Sequence, residues 1–308
     1  MSFMYDIIVI GGGPAGMTAA LYGLRAGKSV LIIEKESFGG QMTFSPKIEN
    51  YPGFLSISGN ELASQMMDQV TEQGAELAYE EAISLDVSGK LKKVITDGGG
   101  EYEARAVIIA SGVKHRLLNV PGEEKFLGEG ISFCAVCDGA FYQDKDVVVV
   151  GGGNSALQEA LLLSNTCSSV TVVQNLDSLT GEKRLADLLE RETNVNIICG
   201  HTVTEIVGED FITGIKIKSA VNGNVRQIKC DGVFVAVGLV PVNGGFADSV
   251  KLDDVGYIVS GEECVTSGEG VFAAGDCRTK KVRQISSAVS DGAAAALAAC
   301  EYIDKNSI

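Results

Sequence analysis

The strand-like run Tyr5-Asp6-Ile7-Ile8-Val9-Ile10 leads straight into Gly11-Gly12-Gly13-Pro14-Ala15-Gly16. At an offset of 140 residues, Asp146-Val147-Val148-Val149-Val150 leads into Gly151-Gly152-Gly153-Asn154-Ser155-Ala156. Each glycine run is followed by helix formers, Met17–Ala26 in the first case and Leu157–Ser164 in the second. Each helix is followed by another apolar strand, Ser29–Glu34 and Ser169–Val173. A strand, a glycine turn, a helix and a second strand make a right-handed βαβ unit, so its sheet must be parallel. Two further strands meet a glycine, Ala106–Gly112 and Gly232–Gly238, so each half repeats one plan. The expected fold is therefore α/β, with two Rossmann-like, doubly wound, three-layer nucleotide-binding domains and the second inserted in the first. Residues 1–115 and 245–308 form the split domain, and 116–244 form the insert. Turn formers cluster near both junctions, at Val120-Pro121-Gly122 and Pro241–Gly245. The Ala293–Cys300 run reads as a packed helix.

At 308 residues the chain suits two domains, and 45% hydrophobic residues supply two cores. A formal charge of −15 argues against binding nucleic acid or an anionic membrane face. No apolar run approaches the ~20 residues of a membrane-spanning helix, and the N-terminus lacks a basic signal region. The expectation is a soluble, cytoplasmic protein.

A glycine turn between strand and helix lets backbone approach a pyrophosphate, and the helix N-terminus favours its charge. At the first turn, Gly11, Gly13, Pro14, Ala15 and Gly16 are the candidate residues. Glu34 closes the second strand 18 residues beyond Gly16, near the spacing at which an acid meets a ribose. The alternative is a turn that serves packing alone.

Cys134-Ala135-Val136-Cys137 is the second constellation. Two thiols at this spacing can form a redox-active disulfide. Half of a zinc site and a pair of inert thiols are the rivals, but no second close pair of cysteines exists and only His115 and His201 are present. No metal is expected. Asp138 follows, either as a turn residue before Gly139 or as a proton shuttle for the thiols. The other six cysteines read as small core residues.

These motifs resemble the low-molecular-weight thioredoxin reductases over nearly the whole chain. The matching stretches are Gly11–Gly16, Gly39-Gly40-Gln41, Glu49–Gly53, Cys134–Gly139, Gly151–Ala156 and Phe272–Cys277, with Arg283-Gln284-Ile285 beyond. The resemblance implies FAD in the split domain, a homodimer, and thioredoxin as substrate. It implies Glu34 at the adenosine ribose, Gln41 and Asn50 along FAD, and Asp276, Gln284 and Ile285 at the ribityl chain and flavin ring. Gly112 joins the cofactor set. Cys137 would face the flavin, Cys134 would exchange with thioredoxin, and Asp138 would be the acid/base.

One stretch departs from the family. Its NADPH-using members end the strand after the second glycine turn with His-Arg-Arg-x-x-x-Arg, which grips the 2′-phosphate. Here the stretch is Gln174-Asn175-Leu176-Asp177-Ser178-Leu179-Thr180, and every cation is missing. That pattern resembles the ferredoxin-linked flavin thioredoxin reductases, so ferredoxin is the expected donor, with NADH and NADPH as alternatives. Arg278-Thr279-Lys280-Lys281-Val282-Arg283 is the one dense cationic run, either a solvated loop or a dock for ferredoxin or thioredoxin. A dithiol oxidase and a flavin redox sensor are the competing functions. Ferredoxin–NADP reductase relatives share the fold but lack the cysteine pair.

Overall fold

The computed structural model describes residues 4–45 and 47–306. Along the described residues, α1 (Pro14–Arg25), α2 (Gly59–Glu72), α3 (Ala135–Asp138), α4 (Asn154–Ser164), α5 (Lys183–Leu189) and α6 (Ile285–Lys305) alternate with strands. The chain divides into two compact units. One comprises Met1–Thr43, Tyr51–Lys114 and Val240–Ile308, and the other comprises Phe44–Asn50 and His115–Leu239.

In the first unit, strands 76–78, 30–33, 4–10, 101–109 and 271–273 lie parallel. Strand Glu101–Ile109 serves two partners. Its first half pairs antiparallel with 92–96 and its second half pairs parallel with 271–273, so an antiparallel extension continues through 82–86. Ile7 to Val9 and Ala106 to Ile109 are fully buried, as expected for strands covered on both faces. Helices α1 and α6 pack together on this unit.

The second unit repeats the plan. Strands 195–198, 169–173, 146–150, 232–235 and 131–132 form a parallel sheet. Strands 201–208, 212–219 and 225–229 form a separate antiparallel sheet. Two doubly wound α/β units are thus present, and sequence periodicity alone did not reveal the antiparallel sheets.

Both glycine turns use one backbone device. Gly11 has φ +111° and Gly151 has φ +137°. A side chain at either would fall onto a carbonyl, that of Ala110 or Ala236, where the next strand crosses. Helices α1 and α4 start at once after these turns, from extended Gly13 and Gly153, and Pro14 opens α1. They therefore begin three residues earlier than their apolar runs imply. Helix α6 spans 21 residues and extends well past the Ala293–Cys300 run at both ends.

Candidate active site and cofactor-binding turns

Cys134 and Cys137 are joined in a disulfide with 5.3 Å between their Cα atoms. The segment is held by the second unit's sheet, because Ile131 and Ser132 pair with Val233 and Phe234. Cys134 then caps α3. Its sulfur accepts from the Cys137 N–H at 3.2 Å, and its carbonyl accepts from the Cys137 and Asp138 N–H groups at 3.1 and 3.0 Å. Val136, between the cysteines, is 61% exposed, so this turn meets solvent.

Asp138 ends α3 and turns inward. Its Oδ2 accepts from the Ser132 hydroxyl at 2.6 Å, while its buried Oδ1 has no hydrogen-bond partner. Burial pushes the carboxyl up, and the Ser132 hydrogen bond pulls the other way with smaller effect. Tyr142 is pushed up to about 12 by burial and by the charge of Asp138. Phe133 stacks on His115 with ring centroids 4.4 Å apart, and burial lowers that imidazole to about 4. Among the described residues, no group of three or more His, Cys, Asp or Glu side chains could hold a metal ion.

The first unit offers a cradle that fits a dinucleotide. The space beside Gly13 is open, since a side chain there would meet nothing within 4 Å. No side chain caps α1. Glu34 reaches the turn: its carboxylate accepts from the Gly12 N–H at 2.6 Å and from the Glu36 N–H at 2.8 Å. Pro14, Ala15 and Gly16 form the first turn of α1. Gln41 is exposed in the short helix Gly40–Phe44, and Gly112 adopts φ +66° with open space beside it.

Asp276, like Asp138, has a buried carboxyl oxygen that lacks a partner. Its buried Oδ1 has no hydrogen bond, and burial pushes its carboxyl up. A hydroxyl-bearing chain such as ribityl would supply the donor it lacks. Gln284 caps α6 reciprocally with Ser287, and Ile285 opens the helix. Asn50 belongs to the Phe44–Asn50 segment of the other unit and is exposed.

The second glycine turn is furnished differently. The Gln174 side chain lies where a Gly152 side chain would go, and Gln174 is 5% exposed. Its Oε1 accepts from the Asn175 N–H at 3.0 Å, within its own loop. The Gly152 carbonyl accepts from the Thr180 and Gly181 N–H groups at 2.8 and 2.9 Å. Asn175, Leu176 and Thr180 are exposed and neutral.

The cationic run is not the open patch its sequence implied. Arg278 and Lys280 both bind Asp291, at 2.7 and 2.8 Å, with side chains only 8% exposed. The Arg283 guanidinium lies 4.5 Å from the centre of the Tyr257 ring. Lys281 alone of the four cations is exposed. A buried Asp in α6 had absorbed the charge, a pairing that sequence spacing does not disclose. Sequence reasoning also passed over Ser132, although a hydroxyl two residues before Cys134 was in plain view.

The sequence model of the pyridine nucleotide-disulphide oxidoreductase family matches residues 5–292. The chain is 46% identical over 303 residues to the thioredoxin reductase of Listeria monocytogenes, covering 98% of this chain and 95% of the relative. It is 41% identical over 302 residues to the bifunctional thioredoxin reductase/thioredoxin of Mycobacterium leprae, covering 97% of this chain and 66% of that one. The crystal structure of thioredoxin reductase from Streptococcus pyogenes superposes with a TM-score of 0.93 at 43% identity, covering 99% of this chain and all of that one. With its disulfide turn and two glycine cradles, the chain belongs to the low-molecular-weight thioredoxin reductases of the pyridine nucleotide-disulphide oxidoreductase family, flavin-dependent enzymes that carry FAD.

Proposed function

We propose that the protein reduces the disulfide of thioredoxin through Cys134 and Cys137, with FAD in the first unit and ferredoxin as electron donor. The Cys134–Cys137 disulfide on its solvent-facing turn carries the reading. The relative in which a thioredoxin reductase is joined to a thioredoxin supports thioredoxin as partner. The reading includes a split FAD domain with the second domain inserted, which rests on the repeated βαβ pattern, a homodimer, which rests on the sequence resemblance, and cytoplasmic residence, which rests on charge and hydropathy.

FAD, when bound, supplies the electron pair that opens the disulfide. Gly11, Gly13, Pro14, Ala15 and Gly16 would cradle its pyrophosphate, and Glu34 its ribose. Gln41, Asn50 and Gly112 would line it, while Asp276, Gln284 and Ile285 would hold the ribityl and ring end. In the exchange, the Cys134 thiolate attacks one sulfur of thioredoxin and displaces the other as a thiolate. Asp138 delivers a proton to that leaving thiolate. The Cys137 thiolate then attacks Cys134, which restores the enzyme disulfide and releases dithiol thioredoxin.

The neutral strand end Gln174–Thr180 supports ferredoxin over NADPH, because a 2′-phosphate finds no cation at the positions that grip it in the family. A pyridine nucleotide is the second reading, favoured by the intact Gly151–Ala156 turn and by the family's name. The test is anaerobic. Oxidised holoenzyme is mixed in turn with reduced ferredoxin, NADH and NADPH, and bleaching of the flavin band is followed. The expected result is rapid bleaching by ferredoxin and onward reduction of thioredoxin. Absence of thioredoxin reduction with every donor would overturn the reading.

A further inference from the structure

The Ser132 hydroxyl stands between two parts of the disulfide turn. It donates to Asp138 Oδ2 at 2.6 Å and accepts from the Cys134 backbone N–H at 3.1 Å. Ser132 is 4% exposed, so water does not compete for either bond. A hydroxyl has one proton to give. The Cys134 carbonyl, at 3.4 Å, is the poorer acceptor, so that proton goes to the carboxylate. Asp138 Oδ2 is then committed, and the partnerless Oδ1 is the oxygen left to carry a mobile proton.

We propose that Ser132 is a positioning residue for disulfide exchange: its hydroxyl fixes which carboxyl oxygen of Asp138 holds the mobile proton and ties that carboxyl to the Cys134 backbone. The inference rests on Asp138 acting as acid/base, as set out above. Besides the two thiols of the reduced pair, three titratable groups lie on or beside the elements packed against this carboxyl. Tyr142, in the short helix that follows α3, stays protonated to about 12, and Cys230 beside that tyrosine does the same. Glu159, the ionisable residue of α4, which packs on α3, is pushed up to about 8 by burial. All three are predominantly neutral at pH 7. A donated hydrogen bond favours the carboxylate, so its removal makes Asp138 hold its proton to higher pH.

Threonine and valine have nearly the same shape and differ in the hydroxyl, so Ser132→Thr and Ser132→Val form the informative pair. The holoenzyme of each is reduced with dithiothreitol, and the pH dependence of Cys134 alkylation by iodoacetamide is measured beside the pH profile of thioredoxin turnover. Flavin content reports folding. Ser132→Thr is expected to follow the native profile. Ser132→Val is expected to move the Asp138-linked inflection to higher pH and to slow turnover on the order of tenfold, the equivalent of one hydrogen bond to a charged group. Superimposable profiles for the two variants at equal flavin content would overturn the role of Ser132. Asp138→Asn separates the two layers. Native turnover in that variant overturns the acid/base reading and the proposal with it. Slowed turnover there with unmoved Ser132→Val profiles removes only the role of Ser132.

Discussion

Asp291 and Arg278 face each other as a two-pronged pair, with Arg278 Nε 2.9 Å from one carboxyl oxygen and an Nη 2.7 Å from the other. The same carboxylate accepts from the Gly275 N–H at 3.0 Å and from Lys280 at 2.8 Å. It therefore anchors, from α6, the turn that presents Asp276. Burial pushes the Asp291 carboxyl up, but the bonds from Arg278 and Lys280 outweigh it and hold the group below the usual carboxylate range.

Asp291→Ala would strand a buried guanidinium and free the Gly275–Asp276 turn. The expected cost is ~3–5 kcal/mol of stability, since one partner of a buried pair is left alone. FAD should also dissociate on dilution, read as flavin fluorescence in a protein-free filtrate. A variant with unchanged melting temperature and full flavin content would show that the cluster anchors nothing.

Removing either active-site sulfur should stop electron flow at a different point. Cys137→Ser alters no residue of the first unit's cradle, because both cysteines lie in the second unit. FAD should stay bound, while reduction of the disulfide site disappears. Cys134→Ser should bind FAD equally and fail to form the mixed disulfide with thioredoxin. Mass spectrometry of a trap with a one-cysteine thioredoxin tests the second point, and a covalent adduct through Cys137 alone would reverse the assigned roles.

Glu159 gives a pH signature of its own. It is largely buried in α4 with Oε2 unpartnered, and burial raises its carboxyl from 4.5 to about 8. Between those values the folded protein holds a proton that the unfolded chain has released. This contribution to stability is complete below about 4.5 and is lost as pH rises through about 8. Glu159→Gln keeps the neutral shape, so its melting temperature should fall less than the native protein's between pH 5 and pH 8. Parallel melting curves would mean that Glu159 is charged in the fold.

The two glycine turns and their strands were legible because their signals are local: an apolar run, a glycine where only a glycine fits, and a helix former. Gly11 and Gly151 illustrate this, each barred from a side chain by one carbonyl. The cysteine pair was legible for the same reason. What sequence hid depends on distant partners. Arg278, Thr279, Lys280 and Lys281 read as one cationic stretch, yet Asp291 claims two of its charges from α6. Strand 101–109 likewise pairs in parallel with 271–273, more than 160 residues away, although its hairpin with 92–96 is local.

The strand end Gln174–Thr180 is where this chain departs from the motif that grips NADPH in the family it resembles. In the family's NADPH-using members, arginines occupy the positions held here by Asn175, Leu176 and Thr180, and histidine the position of Gln174. All three arginine positions are exposed here, so nothing but their chemistry prevents contact with a phosphate. Losing two or three charge-assisted bonds at ~1.5–3 kcal/mol each should weaken NADPH on the order of a hundredfold or more. Lys183 and Arg184 are exposed at the start of α5, a turn beyond the gripping positions. Native enzyme should thus be reduced slowly by micromolar NADPH. The combined change Asn175→Arg, Leu176→Arg and Thr180→Arg should restore tight NADPH binding while leaving NADH little affected, as the added charges address only the 2′-phosphate. Ferredoxin must approach a chain of net charge −15, and the burial of Arg278 and Lys280 removes the basic strip that would have steered it. Its reduction of the enzyme should consequently show a shallow salt dependence, and Lys281→Glu alone should change the rate by less than about threefold. Stopped-flow bleaching of the flavin band measures every one of these rates. Fast reduction of the native enzyme by micromolar NADPH would overturn the donor assignment and leave the exchange chemistry of Cys134 and Cys137 standing.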